Sequence, residues 1–397
     1  MIPLPRVEHP RVTVVMVTYG GGDWPLHALE ALAANTDPIY EVVVIDNTSP
    51  DGAGERVRTE APGATVVLNE TNAGFGPAAN QGAVLARTPY LCFLNPDALV
   101  QPGWLPPLLE TLEDDSRAVA AVPMLLNMDG TLQEAGSLVG FDGETWAYGH
   151  DEDPADPAYR FRRYVDYGSA ACMLLERAAF DAAGGFDPGY QPAYCEDVDL
   201  CLTLAERGGR TVYEPRSTVR HQRAVSSDPA RAQAMIERNR VRLFEKWQQV
   251  LTQRPWLSDI PFYPHRVIAA RDAMCLDRVL VILDRVPAEH PLLRALAEGL
   301  PGGRVTLLAA EGGDPGLWPD LGVEVALGPR DWRAWLDLRP FHASVVIAPR
   351  DGAGPLDEHL AETQPQARWL PLESLPTAPA DLASALAGEG VLLERAG

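Results

Sequence analysis

Two short clusters of acidic and amide side chains are the part of this sequence best suited to chemistry. The first is Asn95-Pro96-Asp97, which follows an apolar run, and the second is Glu196-Asp197-Val198-Asp199, which opens a run with helical character. Carboxylate and amide oxygens are the ligands that hard divalent cations prefer, and a carboxylate can also accept a proton from a hydroxyl group. The two clusters therefore predict one cleft that holds a cation and a general base.

Each cluster also has an ordinary structural explanation. Asp97 can belong to an Asx-Pro turn that ends a strand, and the acids at 196–199 can cap the N-terminus of a helix, where the macrodipole favours anions. A simple cap leaves unexplained why several carboxylates crowd one turn, an arrangement that raises the pKa of some of them. Both explanations stay open at this point.

Strand-like runs alternate with helical segments through the first part of the chain. Four of these runs end in polar turns, and they are residues 12–17, 41–45, 64–68 and 90–94. The alternation predicts an α/β fold, with a mostly parallel sheet and helices on both of its faces. Because ligands of such sheets bind beyond the carboxyl ends of the strands, the four polar turns are expected along one edge.

Three of these turns contain side chains suited to a nucleotide. Tyr19 and Asp46 end the first two strands, where a ring and a carboxylate could stack on a base and accept its ring N–H; Asp46 suits a plain turn as well. The segment 72–76, Asn-Ala-Gly-Phe-Gly, precedes a helix that reaches about residue 86, so its backbone N–H groups could meet a phosphate. A structural turn accounts for this segment too.

The remaining pattern divides the chain into two domains. Residues 140–164 are predicted to be a mobile surface loop, followed by ordered structure at 165–175, helices at 176–183 and 196–207, a strand at 210–213 and an amphipathic helix at 229–251. Strand-like runs restart at 279–283, 305–309, 323–327 and 343–348. We predict a catalytic domain at 1–252, a linker at 253–276 and a smaller Rossmann-like domain at 277–397.

Composition excludes some partners. The 397-residue chain has a net charge of -22, which argues against nucleic acid and requires a local site or a cation for any phosphate. Five scattered cysteines, including Cys195 and Cys201, are typical of reduced, buried thiols in a cytosolic protein. The sequence has no membrane-spanning run and no signal-peptide layout, so we expect a cytoplasmic protein. Its oligomeric state cannot be read from the sequence.

A peripheral contact with a membrane is a further interpretation of the helix at 229–251. Its basic residues Arg238, Arg242 and Lys246 lie beside apolar ones, a pattern that suits an anionic lipid surface at the inner face of the membrane. The alternative is a helix that packs on the sheet and leaves a basic face in solvent.

Seven motifs together resemble a known family. They are the segments 14–19, 44–52, 72–76 with Asn80, 94–97, Gly184-Gly185-Phe186-Asp187, 196–200 and His221. In this order they are similar to family 2 glycosyltransferases of the GT-A fold, in the rhamnosyltransferase-like branch. The resemblance extends over roughly residues 12–250.

This resemblance implies an inverting glycosyltransferase. It would move rhamnose or another hexose from a dTDP- or UDP-linked donor to a hydroxyl of a polysaccharide or glycolipid precursor. The implied nucleotide-sugar contacts are Thr18, Tyr19, Asp46, Asn72, Gly74, Asn80, Asn95 and Asp97. It also implies that Asp97 and His221 hold Mg²⁺ or Mn²⁺, and that Asp197 is the catalytic base, with Glu196 and Asp199 as supporting acids.

Three positions depart from the family pattern. Gly20 stands where Asn is common, Asn95 occupies the first place of the usual Asp-x-Asp, and Thr203 lies where an Arg is usual. A nucleotidyltransferase on a similar sheet fits the late acids and histidine poorly. The alternative from another class is a catalytically degenerate module that binds nucleotide sugars or scaffolds a glycan assembly complex.

The segment from residue 278 to 332 resembles the N-terminal half of a GT-B glycosyltransferase. No Gly-x-Gly-x-x-Gly and no donor-binding second half follow it. We therefore expect an accessory domain without catalysis that recognises an acceptor or a partner, and a generic α/β unit is the alternative.

Overall fold

The chain divides into two compact units. The computed structural model describes residues 1–4, 7–35, 39–160, 162–223, 228–254, 257, 271, 278–300, 304–311, 318, 321, 323–327, 333, 336, 343–350, 357–376 and 378–388. One unit contains Met1–Pro154 and Val165–Trp256, and the other contains Ala155–Tyr164 and Leu257–Gly397. Most of the predicted linker at 253–276 lies outside the described residues.

The strands up to residue 221 are β1 (Val12–Thr18), β2 (Tyr40–Asp46), β3 (Thr65–Leu68), β4 (Tyr90–Leu94), β5 (Ala98–Val100), β6 (Ala118–Leu126), β7 (Leu132–Glu134), β8 (Ser137–Val139), β9 (Thr145–Ala147), β10 (Arg163–Val165), β11 (Cys172–Glu176) and β12 (Arg210–His221). The main sheet has the order β12-β6-β11-β4-β1-β2-β3, with β5 beside β12 and β7 beside β6. β1 pairs in parallel with β2 and β4, whereas β11 is antiparallel to β4 and β6. This mixed, mainly parallel sheet confirms the predicted α/β class.

The helices of this unit are α1 (Trp24–Ala33), α2 (Ala53–Glu60), α3 (Phe75–Leu85), α4 (Leu105–Asp114), α5 (Arg177–Ala183), α6 (Glu196–Glu206) and α7 (Pro229–Leu251). A 3₁₀ turn at Pro188–Tyr190 precedes α6. Local signals set several of the ends. Asp228 caps α7 by accepting hydrogen bonds from the N–H groups of Ala230 and Arg231, and Gly184, at φ 89°, ends α5 in the left-handed conformation.

The prediction of a mobile loop at 140–164 is wrong for a part of that segment. β9 pairs with β8 in an antiparallel hairpin, and the side chain of Tyr148 is buried. Gly140 donates its N–H to the carbonyl of Glu144 at 2.7 Å, so the Gly- and Asp-rich segment is the turn of that hairpin. β12 is also longer than the predicted strand at 210–213, because it continues through an irregularity between Glu214 and Thr218 to His221.

Helix α3 packs closely on the sheet through small residues. Ala78, Ala79, Gly82 and Ala83 are all buried. A Cβ atom added to Gly82 would lie 2.3 Å from Cγ1 of Val15 in β1, which is far inside van der Waals contact. This close approach fixes the position of the helix whose first turn borders the polar edge of the sheet.

The second unit contains β13 (Arg278–Arg285), β14 (Arg304–Glu311), β15 (Val323–Leu327), β16 (Val345–Ala348) and β17 (Arg368–Pro371), with helices α8 (Pro291–Gly299), α9 (Asp357–Thr363) and α10 (Pro379–Gly388). Its strands are parallel and have the order β15-β14-β13-β16-β17. This is the order of a doubly wound sheet, with the direction of winding reversed between β13 and β16. The resemblance to half of a GT-B enzyme stays a prediction, and the residues 328–332 used for it lie outside the described ones.

In the part of the chain that the structure describes, none of the helices combines the length and the hydropathy that crossing a bilayer requires.

The packing of α3 on β1 gives the first testable prediction. Gly82→Ala should lower the free energy of unfolding by about 1–3 kcal/mol, because the new methyl group overlaps Val15. Alanine is otherwise the better helix former by about 1 kcal/mol, so the sign of the change is informative. Urea unfolding measures it. Val84→Ala, at a position 79% exposed on the same helix, is the control and should change stability little; a more stable Gly82→Ala variant would contradict the described packing.

Candidate active site

The acidic helix α6 starts from a strained backbone. Tyr194 and Cys195, directly before Glu196, have φ values of 80° and 71°. Side chains with a Cβ atom rarely adopt this left-handed region, and each such residue costs about 1–3 kcal/mol unless its surroundings impose it. Other contacts must therefore hold this loop in place.

Asn239 of helix α7 supplies those contacts. Its side-chain amide is buried and lies 2.8 Å from the carbonyl oxygen of Tyr190, 2.9 Å from that of Ala193 and 2.8 Å from that of Tyr194. Nδ2 has only two N–H groups, so the three carbonyl oxygens share them. One side chain thus fixes the loop that positions α6.

Asp199 makes a second connection between α6 and α7. Its carboxylate accepts hydrogen bonds from Nε1 of Trp247 at 2.7 Å and from the hydroxyl of Tyr190 at 3.1 Å, and Nζ of Lys246 lies 2.8 Å from its other oxygen. These three donors occupy both oxygens of the buried carboxylate. Asp199, which the sequence suggested as a supporting acid, therefore acts in this structure as an anchor between two helices.

Asp197 faces a different environment on the same turn of helix. Its Oδ2 accepts the N–H of Ala170 at 3.2 Å and its Oδ1 accepts the N–H of Val198 at 2.9 Å, while part of its surface stays exposed. Glu134, at the end of β7, accepts the N–H of Ser169, the residue directly before Ala170, at 3.1 Å. The carboxylates of Glu134 and Asp197 are therefore held by two successive peptide N–H groups.

Glu196 completes this group of acids, which we call the carboxylate cluster (Glu134, Glu196 and Asp197). Glu196 is only 7% exposed, and its Oε2 has no hydrogen-bond partner among the described residues. Burial, and after it the charge of Asp197, raises the pKa of Glu196 well above its usual range.

The other two members of the cluster shift in the same direction. Burial raises the pKa of Glu134 to about 7, although the N–H of Ser169 opposes the shift. Partial burial also raises the pKa of Asp197, against the backbone N–H groups of Ala170 and Val198. A carboxylate whose pKa is raised toward neutrality has the property required of a general base.

A histidine and an aspartate meet on the other side of β7. Nε2 of His221, at the end of β12, lies 3.2 Å from Oδ1 of Asp97 and 3.3 Å from Nδ2 of Asn95. Both Asp97 and His221 are buried. The structure thus brings together Asp97 and His221, the two residues that the sequence suggested for a cation, with Asn95 beside them.

The hydrogen bonds of Gln133 define which nitrogen of His221 carries a proton. The Gln133 amide nitrogen donates to the His221 carbonyl at 3.0 Å and to Oδ1 of Asn127 at 3.0 Å, so its Oε1 faces Nδ1 of His221 at 2.8 Å. An amide oxygen requires a donor, which places a proton on Nδ1. In the neutral ring the lone pair then lies on Nε2, toward Asp97.

This donor set fits a divalent cation. In the neutral ring, the Nε2 lone pair accepts from the Asn95 amide at 3.3 Å and faces a carboxylate oxygen of Asp97. A metal ion at this point would take the place of the Asn95 donor, and Gln133 orients the ring as outer partners of metal ligands do. No group of three or more His, Cys, Asp or Glu side chains suited to a metal occurs within the described ranges. Ligands beyond Asp97 and His221 would therefore come from Asn95, water or a bound diphosphate.

The residues predicted to hold a nucleotide base lie at the ends of β1 and β2. Asp46 accepts the hydroxyl of Thr18 at 2.8 Å and the N–H of Ser49 at 3.0 Å, and the Ser49 hydroxyl also contacts it. These bonds are those of the turn that the sequence left as an alternative. Tyr19 is 43% exposed, so its ring has a surface for stacking; base contacts of Thr18, Tyr19 and Asp46 stay predictions.

The segment 72–76 connects this turn with the loop before α6. Asn72 accepts the N–H of Gly74 at 2.8 Å, and Asn47 donates to the Gly74 carbonyl at 3.0 Å. Gly74 has φ 84°, and an added Cβ would lie 3.0 Å from the carbonyl oxygen of Pro192. The position therefore requires glycine both for its conformation and for its close approach to the loop.

Asn80 contacts the backbone of the turn at 184–187. Its Oδ1 accepts the N–H of Phe186 at 2.9 Å and its Nδ2 donates to the carbonyl of the same residue at 2.8 Å. Asn80 thus uses both ends of its amide to hold Phe186. Donor contacts of Asn72, Gly74 and Asn80 stay predictions.

No pattern in the sequence points to three side chains of the site, Gln133, Glu134 and Asn239. Gln133 and Glu134 lie in a three-residue strand, too short to show a periodic pattern. Asn239 lies in the Arg238-Asn239-Arg240 run of an amphipathic helix, and a polar residue there is ordinarily read as solvated. Only the backbone arrangement brings these side chains to the acids and the histidine.

Comparisons with known proteins identify relatives of this chain. The family described as glycosyl transferase family 2 matches residues 13–168. The N-acetylglucosaminyl-diphospho-decaprenol L-rhamnosyltransferase of Mycobacterium tuberculosis is 30% identical over 245 residues, which cover 55% of this chain and 78% of that protein. Rhamnosyltransferase WbbL of Escherichia coli K12 is 25% identical over 220 residues, covering 51% of this chain and 80% of the relative.

A crystal structure of GalNAc-T7 with UDP, GalNAc and Mn²⁺ resembles the chain more weakly. Its TM-score is 0.49 at 19% identity, over 65% of this chain and 51% of the other, and it adds nothing to the assignment.

The fold and the relatives together define a nucleotide-sugar glycosyltransferase built on a mainly parallel α/β sheet. The chain belongs to glycosyl transferase family 2.

The contacts of Asn239 give the second prediction. Asn239→Ala should lower the free energy of unfolding by about 1–3 kcal/mol, because it leaves buried carbonyl groups without donors. Sugar transfer should fall by about tenfold or more, since Asp197 loses its fixed position. Urea unfolding and a transfer assay measure the two effects. Gln233→Ala, at an exposed position of the same helix, is the control; a variant as stable and active as the wild type would exclude this role.

The carboxylate cluster gives the third prediction. Because the folded pKa of Glu196 is raised, the stability that this residue contributes is present at acidic pH and is lost as the pH rises through the folded value. Glu196→Gln should therefore gain stability relative to the wild type between pH 5 and pH 8, by about 1–3 kcal/mol. Urea unfolding at both pH values measures this difference. Glu245→Gln, at an exposed position, should show no such trend, and a Glu196→Gln variant without it would refute the described burial.

Proposed function

We propose that this chain transfers rhamnose, or another hexose, from a dTDP- or UDP-linked donor to a hydroxyl group of a polysaccharide or glycolipid precursor, with inversion at the anomeric carbon. One observation carries the proposal. The carboxylate cluster and the Asp97–His221 pair approach the same short strand, β7, through Glu134 and Gln133. A base and a cation site are thus close enough in the fold to serve one reaction.

The reaction is a single displacement. The acceptor oxygen attacks the anomeric carbon of the donor and forms the new glycosidic bond, while the bond from that carbon to the diphosphate oxygen breaks and its electron pair leaves with the nucleoside diphosphate. Asp197 takes the proton of the acceptor hydroxyl at Oδ1 or Oδ2 as this bond forms. Its partial exposure at the start of α6 gives an acceptor access to it, which Asp199 lacks.

Asp97 and His221, with Asn95 beside them, would hold Mg²⁺ or Mn²⁺. When bound, such an ion supplies Lewis-acid stabilisation of the charge on the departing diphosphate. Within the protein, Gln133 keeps Nε2 of His221 available, and Asp97 presents its Oδ1 to the same point. A chain with a net charge of -22 needs such local compensation to bind a diphosphate.

The donor would lie between these groups and the ends of β1 and β2. Tyr19 would stack on the base, Asp46 would accept its ring N–H, and Thr18 would orient Asp46 through the observed hydrogen bond. Asn72, Gly74 and Asn80 would border the ribose and the sugar. The relatives named for rhamnosyl transfer, one of them with a decaprenol-linked compound in its name, support rhamnose and a polyprenol-linked acceptor.

A second candidate is a nucleotide-sugar-binding module without turnover. Asn95, a neutral ligand in place of an acid, is the observation that favours it, because it weakens any cation site that the protein forms alone. The carboxylate cluster opposes it: a module that only binds has no need for three acids whose burial costs stability.

A donor panel gives the fourth prediction. The full chain should release nucleoside diphosphate from one of dTDP-rhamnose, UDP-glucose, UDP-galactose and UDP-N-acetylglucosamine, in the presence of Mn²⁺ or Mg²⁺ and not with chelator. Asp197→Asn should lower this rate by roughly 10²- to 10⁴-fold while donor binding persists, because the base is lost and the donor site is not. Product release and calorimetric binding measure the two effects.

Asp181→Asn, an exposed change of the same kind on α5, is the matched control and should keep wild-type turnover. If Asp197→Asn turned over at the wild-type rate, another group would be the base. Binding of a donor without release, even with N-acetylglucosaminyl-diphospho-polyprenol added, would favour the binding module instead.

A further inference from the structure

Glu134 and Asp197 come from distant parts of the chain and meet at one peptide unit. Glu134 ends strand β7, Asp197 lies in the first turn of α6, and they accept the successive N–H groups of Ser169 and Ala170 at 3.1 and 3.2 Å. Adjacent peptide N–H groups are only a few ångströms apart. Two acids are therefore held near each other by the same short segment.

The two carboxylates of this pair repel each other. Glu134 is 8% exposed. The neighbouring groups Tyr167, Cys195, Cys201 and Glu196 have pKa values raised by burial, which favours their neutral forms. The charge of Asp197 raises the pKa of Glu134, whereas Arg223 after β12 lowers it; because the repulsion between two charges is mutual, a charge on Glu134 acts on Asp197 in the same way.

Hydrogen bonding alone does not require an acid at residue 134. The N–H of Ser169 needs an acceptor, and the amide oxygen of a glutamine of the same length would provide one. Gln133, the neighbouring residue, is an amide of this kind. What the carboxylate of Glu134 adds, at the expense of burying an ionisable group, is its negative charge beside Asp197.

We propose that Glu134 is a positioning residue of the transfer reaction: its charge repels negative charge on Asp197 and so strengthens the tendency of Asp197 to take the acceptor's proton. This inference rests on the proposed role of Asp197 as the base. Glu134 itself does not contact the reacting atoms, and it acts only through Asp197.

Glu134→Gln tests the proposal, because it keeps the length and the acceptor and removes the charge. The measurement is the rate of nucleoside diphosphate release between pH 5 and pH 9, with Mn²⁺ saturating and with the donor that the panel of dTDP-rhamnose and UDP-sugars identifies. The acid limb of the rate profile should move to lower pH by about one unit, and the plateau rate should fall by roughly three- to tenfold. The KM for the donor should stay within about twofold, since uniform donor binding is unaffected.

Three further variants complete the experiment. Glu134→Asp keeps the charge, so its acid limb should stay close to that of the wild type. Glu134→Met is apolar and of similar volume, and it replaces Glu134→Gln if the Glu134→Gln variant does not fold. Its acid limb should move to lower pH by the same amount. Glu206→Gln is the control, because it removes a carboxylate at an exposed position of α6, the helix that contains Asp197. Nine residues of helix separate Glu206 from Asp197 by about 14 Å, which is beyond the screening length at physiological salt.

The outcomes separate this inference from the proposed function. An acid limb that does not move in Glu134→Gln, or that moves equally in Glu134→Asp, overturns the role of the charge and leaves Glu134 a structural residue. Asp197→Asn decides the base independently. If that variant is inactive while Glu134→Gln leaves the limb unmoved, only the inference fails; if Asp197→Asn is active, the proposed base fails as well.

Discussion

The hydrogen bonds between helix α7 and the loop before α6 are the constraint on which the rest of the site depends. Asn239 holds three carbonyl oxygens of that loop, and Asp199 receives donors from Trp247 and Lys246 of the same helix. Without these contacts, the left-handed conformations of Tyr194 and Cys195 would relax, because residues with a Cβ atom rarely adopt that region. The direction in which α6 presents its acids would then no longer be defined.

Three acids that are neighbours in the sequence acquire three different functions from this arrangement. Asp199 points to α7 and serves as an anchor, Glu196 is buried with an oxygen lacking a partner among the described residues, and Asp197 keeps an exposed surface beside Ala170. A helix rotates successive side chains by about 100°, so Asp197 faces away from Glu196, whereas Asp199, three positions after Glu196, returns to a neighbouring face. The crowding seen in the sequence therefore reflects one anchor and a pair of coupled acids, and not three equivalent groups.

Much of the fold could be predicted from the sequence, because strands β1, β2 and β4 are apolar runs that end in turn residues. The order of the motifs also assigned Asp97 and His221 to one site; the structure has them 3.2 Å apart although 124 positions separate them, and their binding of a cation stays a prediction. The hairpin at 137–147 could not be predicted, since its turn has the composition of a loop. The roles of Glu134 and Asn239 could not be predicted either, because their partners are backbone groups of distant segments and a local sequence pattern does not show such contacts.

The two polar residues of β7 point to opposite sides of a pleated strand, one toward His221 and the other toward the turn at Ser169. A shift of this strand by one residue would turn each side chain to the opposite face. Gln133 would then no longer reach His221, and Glu134 would no longer reach the N–H of Ser169. Substitutions in the loops that would bind the donor or the acceptor leave the register of β7 unchanged. An insertion or deletion within residues 127–134 would change it. Among variants of this fold with altered sugar specificity, the length of that segment should accordingly be the feature that changes least.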